Sequence, residues 1–109
     1  MESYNKLVRD NIPEIIFANG DTPVIEILEK ENLKKELVKK LLEEAKEVEN
    51  AQENKDELMK EVSDIQEVIS AIIENFDLDP IELAKIKAER KIKRGGFSRG
   101  IFLKTVNPE

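Results

Sequence analysis

The chain has 109 residues with 18 Lys+Arg against 24 Asp+Glu, a net charge of −6, and a length suited to one domain with a modest core. It has no Cys and no His, which excludes disulfides, thiolate chemistry, zinc–cysteine sites, the HExxH zinc motif and the Ser–His–Asp triad. Any metal must be held by oxygen, which favours magnesium, manganese or calcium.

Four helices and two short extended pieces are expected along residues 1–109, read as a single domain. The first helix covers about Asp10 to Ala18, capped by Asp10 or Asn11, with Pro13 in its first turn and Asn19-Gly20 as its stop. Residues 24–28, Val-Ile-Glu-Ile-Leu, have the composition of a short strand. The second helix runs from Glu31 to about Gln52, with Leu33, Leu37, Leu41, Val48, Ala45, Val38 and Leu42 on a wide apolar arc. A short polar connection makes the third helix, Asp56 to Asn75, its antiparallel neighbour. Asp79-Pro80-Ile81-Glu82 opens the fourth helix, which ends at Arg94 before Gly95-Gly96. Residues 101–106 form a second extended piece expected to pair with 24–28.

No run reaches the ~18 apolar residues of a membrane span and no targeting segment is evident, so a cytoplasmic protein without membrane contact is expected. The overall acidity opposes general nucleic-acid binding. Charge is uneven, however: Lys85 to Lys104 holds eight basic residues and one acidic, Glu89. Wide apolar stripes with no Trp, one Tyr and four Phe point to a core completed by a second copy, as a homodimer or higher homo-oligomer.

Two carboxylate pairs, Glu44/Glu47 and Glu61/Asp64, lie three residues apart on the second and third helices, so each pair shares a face. At 100° per residue, Glu44 falls at about 20° from Leu33, inside the apolar arc, and Glu61 lies about 20° from each of Val68 and Ile72. Carboxylates at a packing face repel one another and resist desolvation, so the cluster calls for protons or a cation. The bland alternative is a solvated acidic surface, with Glu44 paired to Lys40 and Glu61 to Lys60 or Lys39. The basic fourth helix, through Lys87, Arg90, Lys91, Lys93 and Arg94, and Lys6 with Arg9 near the N-terminus, suit phosphate contact; a solvated basic face is the alternative.

Three blocks together resemble the all-α nucleoside triphosphate pyrophosphohydrolases of the MazG type, in particular the small phosphoribosyl-ATP pyrophosphohydrolase-like group. They are residues 4–16 (Tyr4-Asn5-Lys6-Leu7-Val8-Arg9-Asp10-Asn11-Ile12-Pro13-Glu14-Ile15-Ile16), Glu43-Glu44-x-x-Glu47 with Glu61-x-x-Asp64, and Arg94-Gly95-Gly96-Phe97. The resemblance implies a four-helix bundle completed by oligomerisation. It also implies Mg²⁺-dependent hydrolysis of a nucleoside triphosphate to monophosphate and pyrophosphate, Mn²⁺ being a possible substitute, often to remove non-canonical nucleotides. By motif match Glu44, Glu47, Glu61 and Asp64 would be metal ligands, and Glu43 would either support those ligands from behind or help orient the attacking water. Lys91, Arg94, Lys6 and Arg9 would contact phosphate. Asn11 departs from the Lys that members of the family more often carry. Two other readings stand beside this one: phosphoribosyl-ATP hydrolysis, and a non-catalytic helical dimer or interaction module.

Overall fold

Side-chain capping marks where the third and fourth helices begin. The computed structural model describes residues 4–108, which contain α1 (Ile12–Ala18), α2 (Lys30–Asn50), α3 (Lys55–Asn75) and α4 (Pro80–Arg94). The Asn54 side chain accepts the Glu57 N–H at 3.1 Å to start α3, and Asp79 accepts the Ile81 N–H at 2.9 Å to start α4. α4 also has Pro80 in its first turn and stops at Gly95, whose φ of 82° a side chain would resist. α1 is shorter than expected. Asn11 occupies its N-cap position without a side-chain hydrogen bond, and Asp10 belongs to the preceding turn.

The expected two-stranded element is absent: residues 24–28 and 101–106 have no regular structure, and no strand occurs among the described residues. Val24, Ile27 and Phe102 are 95%, 83% and 85% exposed. β-branched composition alone does not hold an isolated pair of short strands, which lacks a third strand or a packed face to cover it.

α2 and α3 form an antiparallel hairpin through the link at residues 51–54. At its open end the start of α2 meets the end of α3. Lys30 lies 3.6 Å from Asp77, and the Lys34 ammonium sits 5.4 Å from the centre of the Phe76 ring. Asp77 there takes φ 54°, a conformation tolerated by Asp.

Leu37 and Val68 are the buried apolar side chains among the described residues. Leu33, Leu41 and Val48 of α2, with Leu58, Ile65 and Ile72 of α3, are half-buried around them. Part of each apolar arc stays outside this seam. Val38 and Leu42 of α2, and Met59, Val62 and Ile69 of α3, are exposed. On both helices these residues lie about 55–135° beyond the packed centre in the direction of increasing residue angle. Because the helices run in opposite directions, equal rotations bring both flanks to the same side of the hairpin. The hairpin thus carries one broad uncovered apolar face.

The chain divides into two compact units, the first ending at Asp77 and the second beginning at Leu78. The first contains α1 to α3; the second contains α4 and the segment after it. No helix among the described residues is long and apolar enough to cross a membrane.

Candidate metal centre

The seam between α2 and α3 brings three carboxylates together. Glu44 of α2 with Glu61 and Asp64 of α3 each offer an oxygen, and these atoms all lie within 4.8 Å of one another. Helical spacing accounts for the pair on α3, and the wheel position of Glu44 accounts for its direction: it occupies a core position between Leu33 and Leu37. The residue is 8% exposed, and its Oε2 has no hydrogen-bond partner. An unpartnered buried carboxylate oxygen is costly unless a cation or proton answers it.

The surrounding charges do not fully answer the cluster. The Arg9 guanidinium donates to Asp64 Oδ1 at 2.9 Å, bringing the segment before α1 onto the hairpin. Lys40 lies 3.6 Å from Glu44 Oε1 and donates to Glu43 Oε1 at 3.2 Å, while Lys6 stands 3.7 Å from that same Glu43 oxygen. Glu47 is exposed and outside the close group, yet its charge still reaches Glu61. Three cations, Lys6, Arg9 and Lys40, thus accompany five carboxylates, an excess of two negative charges when all are ionised.

Glu61 records this imbalance. Partial burial, followed by the negative charges of Asp64, Glu44 and Glu47, holds its carboxyl above the ordinary carboxylate value. The all-oxygen donors from two rigid helices, one oxygen of them buried and unpartnered, fit a hard divalent cation; Glu44, Glu61 and Asp64 would hold it, with Glu47 at the margin.

The expected site residues are distributed unequally. Glu43, Glu44, Glu61, Asp64, Lys6 and Arg9 converge, whereas Lys91 and Arg94 are exposed in the last turn of α4, in the second unit. Glu44 does pair with Lys40, as the solvated-surface alternative held, but Lys40 itself is largely buried, with 16% of its side chain exposed. Lys60 and Lys39 do not serve Glu61; they bind Glu57 and Glu36, each three residues away. The sequence offered Lys40 only as a surface partner. Its positions i to i+3 and i+4 relative to Glu43 and Glu44 are the signal that places it against both.

Beside the cluster, residues 5–7 of the N-terminal segment and Glu36, Lys39, Lys40 and Glu43 of α2 line a cavity of about 160 Å³. No protein-family model, curated protein or solved structure matches the chain.

Proposed function

We propose that this chain is a divalent-cation-dependent nucleoside triphosphate pyrophosphohydrolase of the MazG-like kind, releasing monophosphate and pyrophosphate. The observation that carries the reading is the meeting of Glu44, Glu61 and Asp64 across two helices, with Glu44 Oε2 buried and unpartnered. In a chain without His or Cys, such a cluster is the available means of handling a polyphosphate through a cation. Mg²⁺, with Mn²⁺ as substitute, supplies charge neutralisation for the phosphoryl oxygens and acidifies the attacking water.

The chain's own residues have separate tasks in this reading. Glu44, Glu61 and Asp64 provide the oxygen ligands, and Glu47 adds negative charge at their edge. Glu43, paired with both Lys6 and Lys40, accepts a hydrogen bond from the attacking water and orients it. Arg9 and Lys6 contact the triphosphate as it arrives, Arg9 being planar and suited to two phosphate oxygens at once. The part of Lys91 and Arg94 in phosphate contact rests on the basic last turn of α4 and on the resemblance.

We further propose that a second copy of the chain covers the apolar side of the hairpin and completes a four-helix bundle. Two buried apolar side chains among the described residues are a small core, and the uncovered face carries Val38, Leu42, Val62 and Ile69 together.

The direct test is pyrophosphate release from a panel of canonical and modified ribo- and deoxynucleoside triphosphates, with phosphoribosyl-ATP included, in Mg²⁺ and in EDTA. At least one substrate is expected to give monophosphate and pyrophosphate in equal amounts, with release lost in EDTA. Inactivity across the panel, together with no Mg²⁺-induced shift in melting temperature, would favour a non-catalytic helical module.

A further inference from the structure

Lys40 occupies an unusual position for a lysine. Its side chain is 16% exposed and its ammonium is divided between two carboxylates, 3.2 Å from Glu43 Oε1 and 3.6 Å from Glu44 Oε1. Glu44 is the buried member of the three-carboxylate group, and its other oxygen is the unpartnered one. A cation held by Glu44, Glu61 and Asp64 competes directly with this ammonium. Both are attracted to the same carboxylate, and in a partly desolvated place their mutual repulsion is strong. Lys40 also has somewhere to go. It already touches Glu43, which is not in the close group, and both residues line the adjoining cavity.

We propose that Lys40 is a built-in counter-ion of the carboxylate cluster, which a divalent cation displaces from Glu44 onto Glu43, and which thereby sets the affinity for that cation. The inference rests on the metal-binding reading above and adds a role for a residue outside the ligand set. Without cation, Lys40 offsets part of the repulsion that would otherwise push α2 and α3 apart. With cation, its ammonium pairs with Glu43, beside Lys6 and the cavity, and the ion and the lysine no longer oppose each other across Glu44. Affinity is therefore lower than the ligands alone would give, and the cation-free fold is more stable than the ligands alone would allow.

The test is calorimetric titration of the full chain with MgCl₂, alongside thermal melts in EDTA, for wild type, Lys40→Gln, Lys40→Arg and Glu43→Gln. Lys40→Gln is expected to bind Mg²⁺ about tenfold more tightly. It should melt lower in EDTA and show a larger Mg²⁺-induced rise. Lys40→Arg keeps the charge and is expected to stay near wild type. Glu43→Gln removes the second seat of the ammonium and is expected to weaken Mg²⁺ binding severalfold, which gives an answer even if Lys40→Gln fails to fold in EDTA. Wild-type binding with unchanged or weaker affinity in Lys40→Gln, or unchanged affinity in Glu43→Gln, overturns the displacement role and leaves the metal site standing. No Mg²⁺ binding by wild type overturns both.

Discussion

Replacing Glu61 by Gln is expected to lower Mg²⁺-dependent pyrophosphate release by about a thousandfold or more, and to raise the melting temperature of the cation-free protein at neutral pH. The loss follows from removing one of the three proposed oxygen ligands, Glu61 of α3. The gain follows from the same charge, which Asp64, Glu44 and Glu47 oppose in the folded chain. Its pH dependence has a definite sign. A carboxyl that binds its proton more tightly when folded contributes stability that is complete below its ordinary value of 4.5. That contribution is lost as pH rises through the raised value. In EDTA the advantage of the Gln variant should therefore be small in acid and grow toward neutral pH. Excess Mg²⁺ should reverse the order, since the cation stabilises wild type by binding and the variant much less. Melts at the two pH values, each with EDTA and with Mg²⁺, check all four corners. A variant that melts below wild type in EDTA at neutral pH, or that retains full turnover, contradicts the assignment.

A second large effect is expected from a residue that touches no chemistry. Leu42 is 68% exposed in the isolated chain, where changing it to Glu should alter stability by no more than about 0.5 kcal/mol in either direction. If the apolar side of the hairpin packs on a second copy, the same substitution places an unpaired carboxylate in a dry interface. Leu42→Glu is then expected to convert an oligomer into a monomer on light scattering behind size exclusion. It should also depress the melting temperature markedly and remove its dependence on protein concentration. A wild-type protein that is monomeric at micromolar to millimolar concentration, or a variant that assembles normally, would sink the interface. Comparing the two substitutions separates assembly from catalysis, because Glu61→Gln leaves the apolar face intact.

The helices were legible because their ends are marked by local chemistry. Asp79 caps α4 as its sequence predicts, and Gly95 ends that helix in a backbone conformation suited to it, whereas the Asn54 cap, which starts α3 at Lys55, lay inside what read only as a polar link. The burial of Glu44 was also legible, since wheel geometry places it between core leucines whatever the tertiary arrangement. The ion pair of Arg9 with Asp64 was not. Its members are 55 residues apart, and only the return of the N-terminal segment across the hairpin brings them together. The expected strands failed for a related reason: apolar, β-branched residues at 24–28 have strand composition, but pairing depends on a partner elsewhere in the chain. For Lys40, spacing identified Glu44 as a partner but neither the second partner, Glu43, nor the burial, which depends on how the chain packs around α2.

The three clustered carboxylates all fall between Glu44 and Asp64, around the short link that joins α2 to α3. This closeness along the chain affects the order of folding. Closing a short helical hairpin is a local event with a low loop-closure cost, so these contacts belong to an early part of the reaction. The like charges therefore meet while the rest of the structure is still forming, and their repulsion raises the folding barrier as well as destabilising the end state. A divalent cation present in refolding buffer is expected to stabilise the closing hairpin already in the transition state, increasing the folding rate rather than only slowing unfolding. Stopped-flow refolding with and without Mg²⁺ distinguishes these cases, because a cation that binds only after folding is complete would leave the refolding arm unchanged.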